Sequence, residues 1–174
     1  IIPGGESTCL ARLLDIFELK EVIRQHYSRG MKIWGTCAGA ILLANRVVGD
    51  QPCLGLIDME IERNSFGSQL DSFKSEAFIE AVSADPIPLT FIRAPKILRA
   101  GKDVHVLLHI DDYIAAAESG GILVTVFHPE LTGCLALHRY FALKCGLRPV
   151  AENLSTIHQD WENVSWMKLA RIAS

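Results

Sequence analysis

Apolar positions along this chain first recur at roughly helical spacing. Leu10, Leu13, Leu14, Phe17, Val22 and Ile23 are set among polar residues, which predicts a helix to about Ser28, closed by Gly30. Ahead of it, Ile1-Ile2 reads as the tail of a strand, and Pro3-Gly4-Gly5-Glu6-Ser7-Thr8 as a loop that caps the helix. Lys32-Ile33-Trp34 is a short apolar strand. A turn of small residues, Gly35-Thr36-Cys37-Ala38-Gly39, leads from it into a helix to about Asn45. Residues 54–62 mix alternation with acidic positions and read as a strand interrupted by a glycine. Residues 63–75 are polar and read as a working loop, and 76–82 as a short helix. Pro86 and Pro88 precede a strand at 89–92. Residues 104–110, 113–117 and 122–127 read as successive strands, turned at Asp111-Asp112 and Gly120-Gly121. Residues 131–145 suit a last helix.

Helices and strands alternate early and strands cluster later. That order implies an α/β fold with a mostly parallel central sheet and an added antiparallel portion. Residues 1–149 form one domain on this reading, and 150–174 a C-terminal extension. In the extension, Leu154, Ile157, Trp161 and Val164 fall at helical spacing, yet it is read as an appendage. The chain opens without Met on a strand already under way, so a missing N-terminal segment is expected.

Composition narrows the function classes. The 174 residues are 49% hydrophobic and 21% charged with a formal net charge of −3, an ordinary soluble balance. Nothing is basic enough to suggest nucleic acid, no apolar run reaches membrane-span length, and no signal peptide is visible. The five cysteines, Cys9, Cys37, Cys53, Cys134 and Cys145, are widely spaced and lack a Cys-x-x-Cys pair. Free thiols in a reducing, cytoplasmic compartment are expected, with no metal site.

The chemistry concentrates at Cys37. Small residues frame it between a strand and a helix, as a nucleophile elbow requires, and the N–H of Ala38 is free to meet an oxyanion. Far downstream, Phe127-His128-Pro129-Glu130 ends a Val/Ile/Leu strand. Residues two apart on an extended backbone share a face, so Glu130 is expected to orient the His128 ring, with Pro129 stiffening the backbone between them. The set suggests Cys/His/Glu acyl-transfer chemistry. Pro3-Gly4-Gly5-Glu6-Ser7-Thr8 lacks the Gly-Lys-Ser/Thr of a phosphate loop, and Gly4 or Gly5 is the candidate second oxyanion donor. Arg63-Asn64-Ser65-Phe66-Gly67 and Phe91-Ile92-Arg93-Ala94-Pro95 are candidate recognition loops, their arginines suited to a substrate carboxylate. His105, His109 and His138 are read as structural, and Cys9, Cys53, Cys134 and Cys145 as inert.

Together these segments resemble the class I glutamine amidotransferases, and within them the glutaminase subunit of pyridoxal 5′-phosphate synthase. The matching stretches run in order from Pro3-Gly4-Gly5-Glu6-Ser7-Thr8 through Trp34-Gly35-Thr36-Cys37-Ala38-Gly39, Arg63-Asn64-Ser65-Phe66-Gly67 with Asp71-Ser72-Phe73, and Phe91-Ile92-Arg93-Ala94-Pro95, to Phe127-His128-Pro129-Glu130-Leu131-Thr132. The resemblance implies a flavodoxin-like three-layer sandwich whose N-terminal β-α-β portion is absent here. It implies that Cys37 is the nucleophile, His128 the base and Glu130 its partner. Gly5, Glu6, Ser7, Arg63, Ile92 and Arg93 would line a site for L-glutamine. Ammonia would pass to a synthase subunit in a hetero-oligomer, and this chain would bind no cofactor itself. Where the family carries acidic residues and an Arg after Glu-Leu-Thr, this chain has Gly133-Cys134-Leu135-Ala136. A glutaminase serving another synthase, such as that of histidine biosynthesis, and a truncated, non-catalytic binding subunit are the alternatives. A cysteine peptidase on the same fold fits the two arginine loops less well.

Overall fold

Trp34 and Gly35 are neighbours in a fully buried four-residue strand, β1 (Ile33–Thr36), so they point to opposite faces of the sheet. In the computed structural model, which describes residues 1–63 and 72–149, each face meets a helix. Trp34 packs on His138 and Phe141 of α4 (Ala136–Lys144), with ring centroids 5.1 and 5.6 Å away. On the other side, a methyl group at Gly35 would come within 2.6 Å of both the Gly39 carbonyl oxygen and Leu43 Cδ1, in α3 (Ala38–Leu43). Helix, sheet and helix are therefore stacked in three layers at this strand.

The described sheet has seven strands. The chain adds β2 (Ala44–Val47), β3 (Ile57–Glu62), β6 (Lys96–Ala100), β7 (His105–Ile110), β8 (Tyr113–Ser119) and β9 (Ile122–Thr125) to β1. Their order is β1-β9-β8-β6-β3-β2, with β7 paired on β8. Ile2 adds a parallel bridge to Gly35. A separate antiparallel pair joins β4 (Ser72–Ala77) to β5 (Ile87–Ile92). The α/β class stands, but the parallel share is smaller than the sequence suggests. Only β1–β9 and β2–β3 pair in parallel, while β3–β6, β6–β8, β7–β8 and β8–β9 run antiparallel. Tight turns at Asp111-Asp112 and Gly120-Gly121 reverse the chain for β7–β8 and β8–β9, while β3–β6 and β6–β8 join strands that are not consecutive in sequence.

Several elements depart from the sequence expectation, among them β2, which was not anticipated, and α4, which begins at Ala136 and not at 131. The predicted first helix is two, α1 (Ser7–Ile16) and α2 (Leu19–Ser28), broken at Glu18 with φ of 54°. Leu10, Leu14 and Ile23 pack on the core, whereas Leu13, Phe17 and Val22 are exposed. The helix expected to reach Asn45 stops at Leu43, because the Asn45 side chain instead bridges to β3. It donates to Asp58 Oδ1 at 2.8 Å and accepts from the Met59 N–H at 3.1 Å. The short helix expected at 76–82 is partly the end of β4, where pairing with β5 overrides local propensity. Strand β6 was not anticipated, since Lys96 and Arg99 mask its one fully buried position, Ile97. Residues 64–71 and the extension at 150–174, with its candidate helix, lie outside the described residues.

Aromatic stacking fastens the small sheet to the large one. Phe73 stacks on Phe91 at 4.5 Å, and Phe91 meets Phe127 edge-on at 5.6 Å. Phe127 immediately precedes His128, whose N–H donates to the Thr90 carbonyl at 2.8 Å. The β4–β5 pair is thus coupled to the backbone that delivers His128. No helix among the described residues is long and apolar enough to cross a membrane.

Candidate active site

Cys37 and His128 follow strands that lie side by side in parallel, β1 and β9, so both are delivered at carboxyl ends, where α/β sheets place ligands. Cys37 takes φ 48° and ψ −107°, a conformation that side chains with a Cβ rarely adopt. Such strain costs about 1–3 kcal/mol and persists only where packing fixes it. Here the Cys37 N–H donates to the Thr125 carbonyl at 2.8 Å, and α3 begins at the next residue. The small neighbours permit this. Gly35 has no room for a methyl group against α3. One on Gly39 would collide with the Ile2 carbonyl oxygen and lie 2.9 Å from its carbon.

Cys37 is 6% exposed. His128 Nδ1 lies 2.7 Å from Glu130 Oε1. The carboxylate can only accept, so Nδ1 carries the proton and Nε2 is left for the thiol. Burial, the largest single influence on His128, pulls its pKa down, but hydrogen bonds with Cys37 and Glu130 and the charges of both together hold it up at about 9. Burial pushes Glu130 upward, yet its hydrogen bond to His128 and neighbouring positive charge leave it below the ordinary carboxylate value. The contact expected between His128 and Glu130 is made, though not on an extended backbone. Pro129–Leu131 form a single 3₁₀ turn that folds the carboxylate back onto the ring.

A cavity of about 500 Å³ opens over the pair. Its wall includes Gly5, Glu6, Ser7, Cys37, Ala38, Arg63, Ile92, Arg93 and His128. Every sequence-predicted site residue is thus on it, except Gly4 and Glu130. Glu130 stands behind the ring. Gly4 is packed so closely that a methyl group there would collide with His128 Cε1 and sit 3.4 Å from Cys37 Cβ. Gly5 has φ of 142°, which a side chain would strain. Ile41 and Pro95 complete the wall. They were missed because an apolar residue in a helix and a proline after a strand carry no chemical signal. Asn64-Ser65-Phe66-Gly67 lies outside the described residues, but Arg63 does not.

The charged residues on the wall differ in their freedom. Glu6 caps α1, accepting from the Thr8 and Cys9 N–H groups at 3.1 and 2.6 Å, and these bonds depress its pKa. Arg63 donates to Asp50 and Thr8. Arg93 has a left-handed φ of 44°, is exposed, and makes no ion pair among the described residues.

A family model described as the SNO glutamine amidotransferase family matches residues 1–146 of this chain. The chain belongs to that family. It is 60% identical to a protein of Syntrophus aciditrophicus named pyridoxal 5′-phosphate synthase subunit PdxT, over 98% of this chain and 76% of the relative. A PdxT of Ruminiclostridium cellulolyticum is 48% identical over 82% of this chain and 76% of its own length. A crystal structure of a glutamine amidotransferase superposes with a TM-score of 0.78 at 39% identity, covering 83% of this chain and 77% of the other. The family relationship accords with the α/β architecture and with the resemblance found in the motifs.

The remaining cysteines and histidines stand apart from the cavity wall of this family member. All five cysteines are free, and burial pushes the Cys53 thiol up, toward an inert protonated form. His105 and His109 are exposed positions of β7, and among the described residues no cluster could hold a metal ion. His138 packs edge-on against Trp34, with its pKa lowered by burial.

Proposed function

We propose that this chain hydrolyses L-glutamine to L-glutamate and ammonia through a thioester on Cys37, and passes the ammonia to a synthase subunit that makes pyridoxal 5′-phosphate. One observation carries the reading. Cys37 and His128, the latter bonded to Glu130, share one cavity wall with Ser7, Arg63, Ile92 and Arg93. The names of the relatives support the choice of synthase.

With its proton held by His128, the Cys37 sulfur attacks the side-chain amide carbon. The carbonyl oxygen takes up the electron pair and meets the N–H of Ala38 and that of Gly4 or Gly5. None of these three groups enters the loop, turn or cap hydrogen bonds of the described residues. Loss of one such donor would cost about 3 kcal/mol of barrier. His128, protonated at neutral pH with its pKa at about 9, gives a proton to the departing nitrogen as the C–N bond breaks. Ammonia leaves a γ-glutamyl thioester. His128, now neutral, takes a proton from water, whose oxygen attacks the thioester and frees glutamate and the thiol. Arg63, with Arg93 on the same cavity wall, receives the α-carboxylate of glutamine. Gly5, Glu6, Ser7 and Ile92 line the rest of the site, Glu6 chiefly by capping the helix that carries Ser7. The partner forms a hetero-oligomer with this chain, and five free thiols suit a cytoplasmic setting.

The test is Cys37→Ala assayed with a pyridoxal 5′-phosphate synthase partner. Glutamate release should be abolished. Release at the wild-type rate would overturn the proposal.

A further inference from the structure

We propose that Asp50, together with Thr8, is a positioning residue that aims Arg63 at the α-carboxylate of the substrate. This rests on the reading above that Arg63 receives that carboxylate. Arg63 follows β3 and forms part of the wall between two cavities. The substrate cavity lies on one side, and a smaller one of about 200 Å³, lined by Thr8 and Asp50, on the other. From the smaller cavity two groups hold the guanidinium. Nη1 donates to Asp50 Oδ2 at 2.5 Å, and Nη2 donates to Thr8 Oγ1 at 2.8 Å, with Glu6 Oε1 at 3.5 Å. A guanidinium has five N–H donors in a rigid plane. Fixing two of them from behind sets the direction of those that remain for a ligand.

Asp50 is itself fixed by the backbone. Its N–H donates to the Val47 carbonyl at 3.2 Å, closing a turn in which Gly49 has φ of 71°. Its Oδ1 accepts from the Gln51 N–H at 2.8 Å, which leaves Oδ2 for Arg63. The Val48 N–H donates to the Ile61 carbonyl at 2.9 Å, so the turn is tied to the strand that Arg63 follows. Acid and arginine are thereby held in register by the β2–β3 pairing. Asp50 is absent from the substrate cavity wall, so it acts through Arg63 and not on the substrate.

Two effects of removing the Asp50 charge oppose each other. The arginine becomes less neutralised, which favours an anionic ligand. It also loses the partner that holds its plane. The Asp50 side chain is 49% exposed, so solvent screens the first effect and makes it small. Misorientation of a binding group is the larger effect, so affinity falls.

The experiment compares L-glutamine with 4-aminobutanamide, the same amide without the α-carboxylate, for this chain with its synthase partner. For Asp50→Asn, KM for glutamine should rise about tenfold with kcat within about twofold. The efficiency toward 4-aminobutanamide should not change. Thr8→Val, on the other side of the same guanidinium, should give the same substrate-selective loss and serves if the first variant does not fold. An unchanged or lower KM for glutamine, or an equal loss on both amides, would overturn the inference. If Arg63→Gln itself leaves the glutamine KM unmoved, the assignment of Arg63 fails, and the positioning role falls with it. If Arg63→Gln raises that KM while the Asp50 and Thr8 variants do not, the positioning role alone fails.

Discussion

His128 is the residue at which structure and pH meet. Its pKa of about 9 stands above the ordinary 6.5, so it adds stability that is complete below pH 6.5 and is lost as pH climbs through about 9. Replacing Glu130 by Gln removes one of the contributions that hold it up. The His128 ring resonances of Glu130→Gln should therefore titrate at lower pH in NMR than those of wild type. The variant should also lose less stability between pH 6.5 and 9 on chemical denaturation. An unmoved titration would mean that Glu130 does not govern the ring. At this scale the sequence was informative. That Cys37, His128 and Glu130 come together was legible because a thiol framed by glycines and a His-Pro-Glu at a strand end are distinctive patterns. Asp50 was not, since an acid after a glycine usually marks a solvated turn, and its tie to Arg63 spans 13 positions.

At the scale of elements, the helix after Cys37 depends on Gly39 more than propensity suggests. Alanine in place of glycine inside a helix should gain roughly 1 kcal/mol. Here the added methyl group meets the Ile2 carbonyl, a backbone atom that cannot swing aside. Overpacking of that kind costs about 1–3 kcal/mol or more, so steric conflict wins. Gly39→Ala should lower the urea midpoint and slow glutamine hydrolysis, because it displaces the turn that holds Cys37. A midpoint equal to or above that of wild type would refute this. Element boundaries were less legible than residues. The break at Glu18 was hidden because apolar residues continue at helical spacing across it. The early end of α3 depends on the Asn45 side chain finding β3, which no local pattern encodes.

Across the whole molecule, the balance of parallel and antiparallel pairing was the least legible feature. Strand order arises from long-range pairing, and alternation along a segment shows that it is a strand but not which neighbour it takes. The link between the two sheets is of the same kind. Phe91 is fully buried between Phe73 and Phe127. Phe91→Ala should cost about 3–5 kcal/mol in equilibrium denaturation. It should also reduce turnover in molecules that remain folded, because the Thr90 carbonyl that fixes the His128 N–H lies next to it. A loss confined to stability, with kcat intact, would show that the small sheet does not steady His128.

The cavity wall is gathered from five stretches spread along the chain, around Gly5, Cys37, Arg63, Ile92 and His128. Joining segments so far apart requires closing long loops, which slows folding and makes the joined region cooperative. A ribosome releases Cys37 well before His128, so the thiol has no imidazole beside it until the strands between have followed. On the proposed chemistry, nascent or nicked chains that lack β9 would expose a thiol without the machinery to direct it, and amide cleavage would begin only once β9 is in place.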